Sequence, residues 1–151
     1  MKVDGSCHCG KIAFEATVDP AMVTICHCTD CQNLTGSAFR ANVQTPAESF
    51  VLLRGQPKIY IKTTAESGTR RAHAFCSDCG TPIYAAAVTN TPTYSLRIGT
   101  LRQRAALQPH RQIWCRSALR GHRTFTRSRA LSASEKKPAE ILAIGQPCSG
   151  V

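Results

Sequence analysis

Hydrophobic and polar residues alternate with a period of two along several short stretches of the chain. The clearest stretch spans residues 12–18, and the same period recurs around residues 58–62 and 94–98. Half-buried strands show this alternation, because successive side chains point to opposite faces of a sheet. Turn signals rich in Gly, Pro and Asn separate these stretches at intervals of about 8–12 residues. The pattern predicts a mainly β protein, either a sandwich or open sheets, with little helix.

The pattern changes towards the C-terminus. Residues 119–151 are rich in Arg and Ser and show neither strand alternation nor a helix face before a short apolar patch at residues 141–144. A chain of 151 residues is most simply one domain. We therefore expect a single domain over residues 1–118, followed by an irregular, poorly ordered basic tail over residues 119–151.

The formal net charge of +10 follows the same division. Residues 1–100 contain nine Lys or Arg against seven Asp or Glu, whereas residues 101–151 contain ten against two. The excess positive charge is therefore mainly a property of the tail. Phe125 is the only aromatic residue after Trp114, so the tail offers no platform on which bases could stack. Charge alone does not favour nucleic-acid binding as the main function.

Cysteine is the other unusual component, with nine residues. No apolar run approaches the roughly 20 residues that span a bilayer, and the N-terminus lacks the features of a signal peptide. These observations predict a cytoplasmic protein without a membrane segment. In a reducing compartment, clustered cysteines indicate metal ligation or thiol chemistry before disulfides.

Four cysteines form two short pairs, each followed by a glycine. The pairs are Cys7 with Cys9 and Cys76 with Cys79, followed by Gly10 and Gly80. Such turns present two thiolates to one ion, and glycine permits the left-handed backbone that they need. Two pairs complete a tetrahedral zinc site with no open position. We interpret this four-cysteine group as a structural zinc site; the alternative is a set of small buried hydrophobic residues.

Three further cysteines lie within six residues and have no fourth partner in the sequence: Cys26, Cys28 and Cys31. Three protein ligands and an exchangeable position are the arrangement of a catalytic zinc. Residues 23–25 would form a strand leading to this three-cysteine group, and residues 29–36 a turn of helix after it. The alternative is a redox or merely packed cluster without metal.

The remaining candidates carry less information. His8 and His27 lie between ligand cysteines, where alternation points them away from the metal, and His73 is expected in a strand. Cys115 is expected in the core or in a strand, and Cys148 is a tail thiol without a role. The sequence contains no nucleophile elbow, phosphate-binding loop or dinucleotide glycine fingerprint.

In this order and spacing, the cysteine groups resemble the glutathione-dependent formaldehyde-activating enzyme (GFA) family, which has an Mss4-like β fold. The motifs that carry the resemblance, which covers about residues 3–118, are residues 5–10 (GSCHCG), 26–31 (CHCTDC), 35–39 (TGSAF), 75–80 (FCSDCG), 97–101 (RIGTL) and 112–114 (QIW) after Pro109. The resemblance implies zinc-stapled antiparallel sheets, called a β-tent, and two zinc ions per chain. It places a structural zinc at the four-cysteine group and a catalytic zinc, near which glutathione binds, at the three-cysteine group.

The activity implied is that of a carbon–sulfur lyase, which forms S-hydroxymethylglutathione from formaldehyde and glutathione or cleaves it. The expected partner is thus a small thiol–aldehyde adduct, with Arg97, Arg102 and Arg104 as candidate contacts to an anionic thiol. Arg102 departs from the acidic residue that is usual in the family. The alternatives are an enzyme for another small thiol or aldehyde, and a non-catalytic zinc-binding β module whose tail contacts nucleic acid or an acidic protein.

Overall fold

The computed structural model describes residues 1–63 and 68–119, which form two β-sheets around one core. The predicted tail lies outside the described residues except for its first residue, Leu119. The mainly β prediction is confirmed. No helix of the described residues is long and apolar enough to cross a membrane.

The smaller sheet has three antiparallel strands in the order β1-β2-β5. The strands are β1 (Lys2–Ser6), β2 (Ala13–Thr17) and β5 (Phe50–Arg54). Phe14 and Ala16 of β2 are buried, as are Ile12 and Val18 on either side of the strand. The alternation in residues 12–18 thus predicted the buried face correctly.

The larger sheet has seven strands in the order β10-β3-β4-β9-β8-β7-β6. In chain order they are β3 (Thr24–Cys26), β4 (Arg40–Pro46), β6 (Lys58–Lys62), β7 (Arg71–Phe75), β8 (Pro82–Ala87), β9 (Thr93–Arg97) and β10 (Arg111–Ile113). Its neighbouring strands are antiparallel, except that β10 runs parallel to β3. The predicted antiparallel sheets are thus present, with one parallel pair at this edge, where the chain returns along a connection of 13 residues, 98–110, between β9 and β10.

The α-helical part of the described chain is a single short helix, α1 (Thr29–Thr35), which follows β3 directly. Its C-cap is Gly36 in the left-handed conformation, with φ of 60°. The turn of helix predicted over residues 29–36 is confirmed. Short 3₁₀ segments supply the rest of the helical structure.

Both sheets contribute to the core. The smaller sheet supplies Val3 and Phe14, and the larger one supplies Val43, Ile83 and Leu96, all buried in one cluster. Burial of apolar surface at roughly 25 cal/mol per Å² is the main stabilising contribution in such a core. The two sheets therefore pack against each other through the apolar face of each.

Two predictions of buried faces were wrong. Around residues 58–62 the strand exists, but Ile59 of β6 is 44% exposed, because β6 is the edge strand of the larger sheet. Cys115 was expected in the core or in a strand, but it lies half-buried in a 3₁₀ segment after β10. In the first case an apolar residue is exposed because its strand has a neighbour on one side only.

Candidate metal centres and the adjoining pocket

The four-cysteine group is assembled by two turns, one between β1 and β2 and one between β7 and β8. Its four sulfur atoms lie within 4.8 Å of one another. Gly10 and Gly80, which end the two cysteine turns, have φ of 76° and 70°. Both glycines thus adopt the left-handed conformation that the sequence predicted for them.

The sulfur positions fit a tetrahedral ion. Zn–S bonds of about 2.3 Å place the sulfurs of a tetrahedron about 3.8 Å apart. The Sγ atom of Cys9 lies 3.5 Å from that of Cys7 and 3.7 Å from that of Cys76. The backbone N–H of Ile12 donates to Cys7 Sγ at 3.2 Å, and the Thr81 hydroxyl lies 3.1 Å from Cys79 Sγ. The group therefore has both the spacing and the hydrogen-bond donors of a thiolate metal site.

The electrostatics of the same group favour a thiolate. The hydrogen bond from the Thr81 side chain, together with backbone N–H groups, lowers the pKa of Cys79 to about 5. On the surface beside it, Lys11 Nζ lies 2.8 Å from an oxygen of Asp78. The Asp78 carboxylate of this turn is thus paired with a cation.

The three-cysteine group lies at the junction of β3 and α1. Cys26 ends β3, Cys28 is the N-cap of α1, and Cys31 lies in its first turn. Their sulfur atoms lie within 4.8 Å of one another. The backbone N–H of Cys31 donates to Cys28 Sγ at 3.4 Å. Because β3 ends and α1 begins here, six consecutive residues bring three sulfurs close together.

Within the three-cysteine group, the protonated thiol is favoured at Cys26 and the thiolate at Cys31. The hydrogen bond from the Cys26 thiol, aided by the charges of Arg40 and Arg97, lowers the pKa of Cys31 to about 5. The same hydrogen bond and burial raise the pKa of Cys26. A thiolate is therefore the favoured state of at least one member before any ion binds.

The end of the chain's described part supports the three-cysteine group. The Gln32 side chain donates to the backbone oxygens of His27 and Ser117 at 2.7 and 2.8 Å. His27 is almost fully buried, and its Nε2 atom lies 2.8 Å from Gln112 Oε1. His27 thus holds the three-cysteine group in place, whereas His8 is exposed.

An ion pair supports the same group from another side. Lys62 Nζ lies 2.5 Å from Asp30 Oδ2, which ties β6 to α1.

One face of the larger sheet extends the site. Residues directly opposite in antiparallel strands share a face, and so do residues two apart in one strand. Arg40 lies opposite Cys26, and Arg97 lies opposite Asn42, two residues after Arg40. His73 lies opposite Ala85, and Ala85 lies opposite Ser95, two residues before Arg97, so His73 shares this face. The register therefore aligns Cys26, Arg40, Arg97 and His73 on the face opposite the core.

Beside these residues lies a cavity of about 490 Å³. Its lining includes Leu34 of α1, Tyr60, Phe75, His73 and the two arginines. Arg40 is 3% and Arg97 6% exposed. Burial, with the charge of Arg40, lowers the pKa of Arg97 to about 9, which leaves the group cationic at neutral pH. Burial and the same arginines lower the pKa of His73 to about 3, so this imidazole is neutral.

Sequence reasoning found both cysteine groups but missed most of this pocket. Arg97 was among the candidates, whereas Arg40 was not, and His73 was expected only as a strand residue. The other two arginine candidates lie at the surface: Arg102 is paired with Asp4 at 3.0 Å, and Arg104 is exposed. A signal was present, since Arg40 and Arg97 occupy strand positions that alternate with apolar ones.

Comparisons with known proteins place this geometry in context. The family model described as glutathione-dependent formaldehyde-activating enzyme matches residues 2–117. Among solved structures, the chain is similar to the crystal structure of a Rhodobacter sphaeroides protein. That match has a TM-score of 0.56 and 20% sequence identity, and it covers 72% of this chain and 98% of the other. At this identity the structural match shows a shared fold only.

Proposed function

The chain belongs to the glutathione-dependent formaldehyde-activating enzyme family, and from this premise we propose that it forms or cleaves the carbon–sulfur bond of a small thiol–aldehyde adduct. The adduct of glutathione and formaldehyde is the first substrate to test. The reaction centre is the three-cysteine group, and the four-cysteine group holds a structural zinc. Two zinc ions per chain follow from this proposal.

The observation that carries the proposal is the incomplete ligand set beside a cavity. Cys26, Cys28 and Cys31 bring three sulfurs together, and no fourth Cys, His, Asp or Glu joins them among residues 1–63 and 68–119. A zinc site with three protein ligands keeps a position for substrate, whereas a site with four is closed. The cavity of about 490 Å³ adjoins this group through Arg40.

The chemistry is an addition of a thiol to a carbonyl group. The sulfur forms a bond to the aldehyde carbon, the π electron pair moves to the oxygen, and the proton released by the thiol ends on that oxygen as a hydroxyl. Cleavage is the exact reverse. Zinc held by the three-cysteine group would supply a lower pKa for the substrate thiol and polarisation of the aldehyde oxygen.

The chain's own residues prepare this site in two ways. Arg40 and Arg97 lie close enough to the cysteines to stabilise negative charge on sulfur, which is the charge that develops when a thiol loses its proton. Leu34 and Phe75 add apolar walls to the cavity, and a water-poor environment strengthens these electrostatic interactions. Both effects favour a thiolate at the reaction centre.

The proposal is tested by measuring exchange between ¹³C-labelled formaldehyde and its glutathione adduct by NMR, since the uncatalysed reaction can be subtracted in the same experiment. We expect the wild-type protein to accelerate exchange and a variant with serine at Cys26, Cys28 and Cys31 to be inactive. Zinc should fall from two ions per chain to one in that variant, with its fold retained. Equal exchange rates for a zinc-loaded wild type and the buffer would refute the proposed substrate.

A further inference from the structure

Two cations are buried together without a carboxylate partner. Arg40 and Arg97 are each more than nine-tenths buried on the face of the larger sheet that adjoins the cavity. Among residues 1–63 and 68–119, ion pairs involve other residues: Lys11 with Asp78, Lys62 with Asp30, and Arg102 with Asp4. Buried charges are ordinarily paired, because removal from water costs free energy that a counter-ion must offset.

The hydrogen-bond donors of this pair are also incompletely used. A guanidinium group carries five N–H donors. Arg97 donates to Asn42 Oδ1 and to His73 Nδ1, the latter at 3.3 Å, and Arg40 Nη1 lies 3.5 Å from the same His73 nitrogen. The Nε atoms of both arginines and Nε2 of His73 are buried without a hydrogen-bond partner. Native proteins leave few buried polar atoms in this state, so a group with acceptor oxygens is expected here.

The three-cysteine group does not satisfy the two arginines fully. Its thiolates interact electrostatically with Arg40 and Arg97. A zinc ion with three thiolates carries a net charge of −1, against +2 for the two arginines. When the sulfur of the bound adduct is neutral, one positive charge is therefore left for a further anion, and the cavity lined by both arginines has room for it.

We propose that Arg40 and Arg97 bind a carboxylate of the substrate, held in the cavity next to the three-cysteine group. This inference rests on the proposed function and narrows it. The substrate class becomes thiol–aldehyde adducts in which the thiol or the aldehyde carries a carboxylate. A planar guanidinium matches a carboxylate in two parallel hydrogen bonds, which an ammonium cannot do. The neutral His73 accepts from both arginines and so fixes the direction of their remaining donors.

Binding can be measured without turnover. The first probe is S-methylglutathione, which has both carboxylates but no thiol to transfer, and the second is its dimethyl ester, which has none. Calorimetric titration of the zinc-loaded full-length protein should show that the acid binds about 10- to 100-fold more tightly than the ester, as expected for a charge-assisted contact. Arg40→Gln and Arg97→Gln should reduce that ratio to near one. The matched control Arg102→Gln removes a surface arginine and should keep the wild-type ratio.

The source of the carboxylate is settled by a second pair of probes. With cysteamine as a thiol that lacks a carboxylate, glyoxylate and formaldehyde are compared as aldehydes in the NMR exchange measurement. If the bound carboxylate belongs to the aldehyde, glyoxylate should exchange faster than formaldehyde, and the arginine variants should remove this difference. If it belongs to the thiol, glyoxylate should not exchange faster than formaldehyde, and S-methylglutathione should bind more tightly than its ester. Either result supports the carboxylate site.

Three controls keep the test decisive. Zinc content and far-UV circular dichroism show whether each variant is folded and loaded. If a glutamine variant does not fold, Arg97→Lys keeps the charge but loses the planar fork, and acid affinity should fall about tenfold with ester affinity unchanged. An unchanged acid-to-ester ratio in folded variants, with no arginine-dependent preference for glyoxylate, overturns the carboxylate site. If the wild-type protein shows no adduct exchange but still prefers the acid to the ester, the proposed lyase activity is overturned but the carboxylate site is not.

Discussion

Replacement of Gly5 by alanine tests how β1, the strand that leads to Cys7, is held over the core. A Cβ atom at Gly5 would lie 2.4 Å from Phe14 Cζ and 2.9 Å from both Cε atoms. Carbon atoms in contact are ordinarily about 3.5–4.0 Å apart. The added methyl group must therefore displace the Phe14 ring or the strand by about 1 Å.

The ring has little room to move. Phe14 is fully buried, and its ring centroid lies 5.4 Å from that of Phe50, which in turn packs against Tyr84 and Tyr94. Overpacking of this kind costs about 1–3 kcal/mol. Alanine returns up to about 1 kcal/mol, because it loses less conformational entropy on folding than glycine. We expect a net loss of about 1–2 kcal/mol in the free energy of unfolding.

Urea denaturation, followed by the fluorescence of the single tryptophan, Trp114, measures this loss. Phe14→Leu removes the atoms that clash, so Gly5→Ala should cost less than about 0.5 kcal/mol in that background. Gly99→Ala is the matched control, since a Cβ there meets nothing within 4 Å, and it should be near neutral. Equal destabilisation by Gly5→Ala in both backgrounds would show that the clash with Phe14 is not the cause.

Further predictions concern the metal groups, the pocket and the tail. Cys76→Ser should abolish cooperative unfolding, because a structural zinc contributes about 10–16 kcal/mol, as much as a typical domain's whole stability. The triple serine variant of the three-cysteine group should still unfold cooperatively. The opposite result would mean that the three-cysteine group holds the structural zinc and the four-cysteine group does not. His73, with its pKa lowered in the fold to about 3, takes up a proton on unfolding between that value and about 6.5, so stability falls as the pH drops below 6.5. With partial exposure to solvent, the loss should be about 1 kcal/mol between pH 7 and 5, and His73→Gln should show a smaller loss in parallel urea titrations at each pH. Deletion of residues 119–151 should leave adduct exchange unchanged and remove only salt-sensitive polyanion binding, if any occurs; a loss of exchange would place part of the tail in the working domain.

Local patterns predicted those parts of the fold in which one strand face meets the core. Phe14 and Ala16 alternate with polar residues and are buried as expected. The cysteine motifs were also predictable, because the cysteines of each pair or triplet lie a few residues apart and a glycine directly follows both pairs. In these regions, the sequence within a few residues determines the environment of each side chain.

The pocket was not predictable in the same way, because it is a property of the assembled sheet. Alternation placed Leu96 towards the core, so the neighbouring Arg97 was expected on the polar, outer face. The structure confirms the alternation, yet Arg97 is 6% exposed, because α1 and neighbouring strands flank that outer face. Ile59 shows the reverse error: an apolar residue in a strand is exposed because its strand lies at the edge. Both outcomes depend on strand order, which periodicity does not specify.

The two cysteine groups differ in how much of the chain must exist before each can form. Cys26, Cys28 and Cys31 emerge from the ribosome within six residues of one another, whereas Cys9 and Cys76 are separated by 67 positions. Closing that long loop carries an entropy cost that a local turn does not. During synthesis the three-cysteine group can therefore come together first, while the four-cysteine group waits for Cys79. The strand that pairs with β3 beside this group, β10, follows still later, so a nascent chain contains all three of these cysteines before it contains the strand that flanks them.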